Sequence, residues 1–263
     1  MSTHLADGRP HPADGAGVRG APGPWPAEAA VRRLLLFAKE PVPGQVKTRL
    51  IAPDGLTAGQ AASLHAALVA DLSWRLDAGR WELILMWLLS EGGDSPVDLA
   101  PAGVPWRRQR GRDLGERLFR GLEWAASRAG YVAAVGSDQP DLDTARVEAA
   151  FDLLARGNDA VLGPARDGGY YLIALRRKAV NRRLFDGLAW STPSVLRETQ
   201  LRCRELGLEV ALLPEEEDLD TVEDLARFRD ALERRPDLRS MCPRTAEVVA
   251  SWSEHPSGKE GRR

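Results

Sequence analysis

In the stretch "YVAAVGSDQPDL", residues 131–142, an apolar run stops at two aspartates three positions apart. Asp138 follows that run directly, where a carboxylate can reach a cleft at the end of a strand. Acids also favour helix N-termini, and a helical pattern begins near Thr144. Asp143 or Thr144 suffices as its cap, so Asp138 is not needed there and metal ligation becomes its better use, with Asp141 a weaker candidate. A hard cation such as Mg²⁺ or Mn²⁺, held by one or two carboxylates plus substrate phosphates, matches so sparse a set. A second acidic stretch, "EEEDLDTVEDL" from Glu215, contains Thr221 and Asp224 spaced as a helix cap and its partner. The three glutamates read as a solvated run, which leaves Asp218 and Asp220 over. Asp220 and Asp138 could meet on one ion if both lie on the same edge of a sheet.

Two further loops have chemical potential. "KEPVPGQVKTRL" offers Lys39, Lys47 and Arg49, with Gly44 permitting close approach of the backbone. Such a loop suits phosphate groups, and it also reads as a solvated basic turn. It is no P-loop, because no glycine directly precedes the lysine. "GPARDGGYY" can be a plain hairpin turn, or Asp167 can act on an acceptor hydroxyl while Gly168 and Gly169 line its pocket. Asp113 and Glu116 are spaced as a capping pair, and Thr192 with Pro193 resembles a helix start. Trp190 can stack on a base or sugar, although packing explains it as well. His4, His11, His65 and His255 form no triad or zinc pattern.

These loops must be held by something, and the pattern around them alternates. Strand-like segments at 31–38, 81–89, 104–109, 131–136, 159–165, 169–176 and 208–214 are interleaved with helical periodicity at 58–76, 113–128, 144–157, 192–206 and 221–235. Alternation of this kind predicts an α/β fold, one Rossmann-like domain over 31–235 with a mainly parallel sheet flanked by helices. Ligands of such sheets bind outside the carboxyl ends of the strands, where the loops above fall. Residues 1–30, dense in Pro, Gly and Ala, read as a disordered extension, and 236–263 as a loose C-terminal tail.

Composition narrows the partners. Among 263 residues, 36 Lys and Arg oppose 38 Asp and Glu, for a net charge of -2, so no nucleic-acid partner is expected. The two cysteines, Cys203 and Cys242, have neither metal nor redox spacing, which predicts a reducing compartment. No apolar run is long enough for a membrane span and no signal-peptide core is present, so a cytoplasmic protein is expected.

Taken in order, "FAKEPVPGQVKTRL", "DLGERL", "GSDQPDL", "GPARDGGYYLI", "WST" and "DLDTVEDL" resemble the family described as radical-SAM/selenodomain-associated transferase 1 (DUF2064). This bacterial family of glycosyltransferase-A (GT-A) fold includes members labelled arsenosugar-biosynthesis glycosyltransferases. The resemblance spans about residues 33–228. It extends to the molybdenum-cofactor and 2-phospholactate guanylyltransferases, and implies metal ligation by Asp138 and Asp220. It further implies nucleotide contacts from Ala38, Lys39, Gly44, Lys47 and Arg49, and an acceptor or sugar pocket of Asp167, Gly168, Gly169, Tyr170 and Trp190. Gln139 stands where many members carry Cys, and Ala174 where Gly is usual. The expectation is a metal-dependent glycosyltransferase taking a nucleotide-sugar to a small-molecule acceptor, with Lys47, Arg49 and Asp167 catalytic. Nucleotidyl transfer from a nucleoside triphosphate with release of pyrophosphate is the alternative, weakened because the first loop lacks a "GGxSxRMG" signature. A non-catalytic nucleotide-binding module is a third reading.

Overall fold

The computed structural model describes residues 31–93 and 96–253; the expected extension at 1–30 lies outside them. Strand β1 (Arg32–Lys39) is buried almost throughout, as a near-continuous apolar run requires when both faces are covered. Helix α1 (Ala58–Leu76) begins at Thr57, whose side chain and that of Gln60 form a reciprocal capping box. Then follow β2 (Glu82–Leu88), β3 (Trp106–Arg108), α2 (Leu114–Ala126) and β4 (Tyr131–Val135). Helix α3 (Thr144–Ala155) starts from Asp143, which accepts the Arg146 amide at 2.8 Å. β5 (Ala160–Pro164) and β6 (Tyr170–Arg176) make a hairpin, and α4 (Val195–Glu205), β7 (Val210–Leu212) and α5 (Val222–Arg234) complete the α/β alternation.

The seven strands form one sheet in the order β3-β2-β1-β4-β6-β5-β7, with β6 antiparallel to both neighbours and the other pairs parallel. This confirms the predicted α/β class. From β1 the chain steps outward to β2 and β3, then returns to the other side of β1 as β4. A crevice therefore opens between the carboxyl ends of β1 and β4, the switch point where ligands of such sheets bind.

Side chains alternate along β1 between two cores. Leu34 and Leu36 pack with Val69 and Leu72 of α1 and Phe151 of α3. Leu35 and Phe37 pack with Leu118 and Leu122 of α2 and with Phe185. A third cluster lies off the sheet, between the outer face of α1 and the C-terminal helices.

Two expectations need correction. Residues 236–253 are not loose: α6 (Pro236–Met241) and α7 (Pro243–Ser253) follow α5, and Leu238, Cys242, Ala246 and Val249 are buried in the third cluster. The outer face of α1 carries Ala61, Leu64 and Leu68, and these helices cover it. Residues 254–263 lie outside the described residues. The helix expected from Thr192 starts instead at Val195. Thr192 Oγ1 bonds the Ala189 carbonyl at 2.6 Å and closes a turn, and the Leu196 amide bonds the Gly168 carbonyl at 2.9 Å.

Candidate active site

The loop after β1 returns a cation to the crevice. Pro43 and Gly44 turn the chain, with the Gln45 amide on the Val42 carbonyl at 3.0 Å and Gly44 at φ 79°, a conformation that favours glycine. Gly44 is exposed on this turn and does not line the cavities described below, so it shapes the loop from outside. Lys47 itself adopts the left-handed conformation at φ 48°, uncommon for a residue with a side chain. Its side chain is only 2% exposed, and its ammonium bonds Asp138 Oδ1 and, at 2.6 Å, the Leu219 carbonyl. Asp220 Oδ1 lies 3.9 Å away. Arg49, exposed, pairs with Asp220 Oδ2 at 2.9 Å.

The two carboxylates suspected of converging do converge. β7 runs parallel to β5, so the segment after it returns to the β4 edge, where the Leu219 amide bonds the Asp138 carbonyl at 2.9 Å. Asp220 is then held by the capping box of α5, because Asp224 Oδ2 accepts the amides of Asp220 at 3.0 Å and Thr221 at 2.7 Å. Partial burial resists ionisation of Asp138, whose side chain is still 43% exposed, but the charge and hydrogen bond of Lys47 outweigh it and hold the carboxyl below its usual range. Asp218 goes the other way: burial, with the charges of Asp138 and Asp167, lifts it to about 7, while Gln139 Nε2 bonds its Oδ1. Asp141 is turned away, 4.0 Å from Arg235, beside a separate cavity.

Two cavities meet at these carboxylates. One, of about 250 Å³, lies over β1 and β2 and is walled by Ala38, Lys39, Lys47 and Leu88. The other, of about 270 Å³, lies toward β6 and contains Asp167, Gly169, Tyr170 and Trp190. Phe37, Leu114, Gly136, Asp138 and Asp220 line both. The glycine turn is indeed a hairpin, with Asp167 Oδ1 accepting the Gly169 amide at 2.8 Å. Gly168, at φ 87°, is packed so closely that a Cβ there would lie 2.3 Å from the Pro193 carbonyl oxygen. Tyr170 and Trp190 meet edge to face at 6.3 Å, and burial pushes the Tyr170 hydroxyl above its usual range.

Three residues that line the first cavity, Gln109, His65 and Arg117, were given no functional role by the sequence reading. Gln109, 8% exposed, follows β3, so the strand-end rule itself would have found it had three-residue strands been followed to their ends. His65, 3% exposed, donates from Nε2 to the Lys39 carbonyl at 3.0 Å and leaves Nδ1 without a partner. Burial also makes its imidazole less basic than usual. Arg117 follows the capping pair directly, and its buried Nε has no partner. Of that pair, Asp113 caps α2 by accepting the Glu116 amide at 2.8 Å, and Glu116 accepts the Arg112 amide at 2.9 Å.

Among the described residues, no three of His, Cys, Asp and Glu are grouped to hold a metal. Asp138 and Asp220 nevertheless both face one cation, the Lys47 ammonium, and offer only hard oxygen donors. Such a pair fits Mg²⁺ or Mn²⁺ of the kind that draws its remaining ligands from phosphate and water.

No curated protein matches the sequence. The family described as "uncharacterized protein conserved in bacteria" (DUF2064) matches residues 72–192. A crystal structure from Desulfovibrio desulfuricans G20, described as a "putative nucleotide-diphospho-sugar transferase", is 31% identical, with 85% of this chain and 98% of that one aligned at a TM-score of 0.72. The 4-diphosphocytidyl-2C-methyl-D-erythritol synthase of Anaerococcus prevotii DSM 20548 is 13% identical at a TM-score of 0.53, covering 79% and 97%. A cytidylyltransferase of Leptospira borgpetersenii serovar Hardjo-bovis is also 13% identical at 0.53, covering 86% and 96%. The last two share the fold alone. Identity maintained over nearly all of the Desulfovibrio chain, together with the match to the central residues, means that this chain belongs to the DUF2064 family of bacterial proteins.

Proposed function

We propose that the protein is a cytoplasmic, metal-dependent glycosyltransferase of the radical-SAM/selenodomain-associated type, moving a sugar from a nucleotide-sugar to a small-molecule acceptor. The observation that carries this reading is the pair of cavities sharing Asp138 and Asp220 as a common wall. A donor with a nucleoside, a diphosphate and a sugar spans such a pair, its diphosphate at the shared acids. Mg²⁺ or Mn²⁺ bound there by Asp138 and Asp220 would supply charge neutralisation for the diphosphate. Lys47, with Arg49 at the rim, adds fixed positive charge beside the leaving group, and Lys39 extends it along the first cavity. In the second cavity Trp190 and Tyr170 form the wall for the sugar. Asp167, oriented by the Gly169 amide, takes the acceptor hydroxyl's proton as that oxygen bonds to the anomeric carbon and the bond to the diphosphate breaks.

Purified protein with Mg²⁺ or Mn²⁺ should be stabilised against heat by nucleotide-sugars, and should release nucleoside diphosphate only when an acceptor is present. Asp138→Asn should lose the metal-dependent part of that stabilisation. Release of pyrophosphate from a nucleoside triphosphate would replace sugar transfer with nucleotidyl transfer. Binding without turnover under any acceptor would leave a non-catalytic nucleotide-binding module.

A further inference from the structure

We infer that the acceptor carries a protonated amine, which the second cavity holds, rather than a phosphate or carboxylate. That this cavity receives the acceptor rests on the function proposed above; its charge does not. Four carboxylates line it, Asp138, Asp167, Asp218 and Asp220, and no Lys, Arg or His does. Asp138 and Asp220 are already answered from outside it. Lys47, on the wall of the first cavity, bonds Asp138 and lies 3.9 Å from Asp220, and Arg49 pairs with Asp220 at 2.9 Å. Asp167 and Asp218 have no such answer. Among the described residues neither enters an ion pair: Asp167 accepts the Gly169 amide, and Asp218 accepts Nε2 of Gln139.

Two further observations point to a ligand rather than to a solvated acidic rim. Gln139, 2% exposed, lines the same cavity, and its Oε1 is buried without a partner among the described residues. An unmet buried acceptor beside two uncompensated carboxylates calls for donors, and one ammonium brings three N–H groups together with the missing charge. The rest of the wall is aromatic, from Phe37, Tyr170, Tyr171 and Trp190, and ring faces attract cations. The charges of Asp138 and Asp167 also repel that of Asp218, a repulsion that a ligand cation among them relieves.

An anionic group meets the reverse. Asp167 and Asp218 repel it, and no cationic side chain of the cavity receives it. This weighs against nucleotidyl transfer to a phosphorylated substrate, whose attacking phosphate would have to enter here. An acceptor that gives its hydroxyl proton to Asp167 sets its ammonium at Asp218, the pattern of an amino alcohol or an amino sugar.

Calorimetric titration tests this on the whole protein, at saturating Mn²⁺ and with whichever of GDP, CDP, ADP and UDP binds best. The titrants form two matched series: 3-amino-1,2-propanediol, glycerol and glycerol 3-phosphate, and 6-amino-6-deoxyglucose, glucose and glucose 6-phosphate. In at least one series the amine should bind at least roughly tenfold more tightly than the alcohol, the scale of one charged hydrogen bond, and the phosphate more weakly than either. Asp218→Asn, which keeps the shape and removes the charge, should bring amine and alcohol within about threefold of each other. The preference should persist when a nucleotide-sugar with a neutral sugar replaces the diphosphate. Its disappearance there would put the amine on the transferred sugar and overturn the assignment to the acceptor. Alcohols or phosphates binding as tightly as the amines, no binding by either amine, or a preference unchanged in Asp218→Asn would overturn it as well, while nucleotide affinity keeps the donor reading. If no nucleoside diphosphate binds, the donor reading fails, and amine preference in the nucleotide-free protein decides the charge of the cavity by itself. Should Asp218→Asn not fold, the wild-type comparison of amine with alcohol and phosphate decides alone.

Discussion

At the scale of single residues, the Lys47–Asp138 pair is asymmetric. The lysine side chain is 2% exposed and the aspartate 43%. Removing the aspartate strands a buried ammonium with one carbonyl and a distant carboxylate, whereas removing the lysine leaves a carboxylate that water can reach. Asp138→Ala should therefore cost about 3 kcal/mol of stability. Lys47→Met should cost only about 1 kcal/mol, mainly for the donor lost to the Leu219 carbonyl. The same ammonium stands where a divalent ion would meet Asp138 and Asp220. Lys47→Met should consequently bind Mn²⁺ alone more tightly than wild type, yet hold nucleotide-sugar less well. Denaturant melts and Mn²⁺ titrations measure both; equal destabilisation by the two substitutions, or weaker Mn²⁺ binding by Lys47→Met, would contradict this account. Asp138, Asp220 and Lys47 were visible in the sequence because each follows a recognisable strand in a loop with unexplained charge. His65 and Arg117 were not, because their helical patterns explain them fully. Only tertiary packing reveals that one nitrogen of each is left without a partner.

At the scale of elements, the start of α2 shows where propensity and packing disagree. Gly115 lies in its first turn, where alanine would favour the helix by about 1 kcal/mol. A Cβ at that position would instead lie 2.5 Å from Trp190 Nε1 and 2.7 Å from the Phe185 carbonyl oxygen. Both are held by the chain between β6 and α4, so neither can yield cheaply, and such overpacking costs about 1–3 kcal/mol. Gly115→Ala should thus destabilise the protein despite its better helix propensity. It should lower acceptor-dependent turnover by displacing the Trp190 wall, while metal-dependent nucleotide binding stays near wild type. A thermal melt that rises, or a loss confined to nucleotide affinity, would rule this out. Strands and helices with their own periodicity or caps, such as β1, α1 and α5, could be assigned from residues alone. The start of α4 could not, since the Gly168 carbonyl from a distant hairpin satisfies its Leu196 amide. β3 and β7 fall inside the expected segments 104–109 and 208–214 but are cut to three residues each, because only those residues pair with a neighbouring strand.

At the scale of the whole molecule, the candidate site is buttressed from behind by the segment that composition made look loose. Pro, charged residues and a Gly-rich end mask the spacing of Leu238, Cys242, Ala246 and Val249, which lie buried in one cluster. That cluster also includes Leu50 and Leu219, the neighbours of Arg49 and Asp220. Polar contacts tie the same helices to α1. Asp71, 3% exposed, accepts the Thr245 amide and hydroxyl, both at 2.8 Å, and Arg75 donates to the Met241 carbonyl at 2.6 Å. Truncation after Arg235 would expose the apolar face of α1 and leave the Asp71 carboxylate without these donors. It should lower the melting temperature markedly and weaken metal-dependent nucleotide binding, although nothing in 236–253 lines either cavity. Thr245→Val separates the two effects, because it removes one hydrogen bond while keeping the apolar cover. It should cost about 1 kcal/mol in a denaturant melt and leave nucleotide affinity unchanged. If the truncated chain melts like the full one and binds nucleotide equally well, α6 and α7 are an appendage and the loop that holds Asp220 needs no support from them.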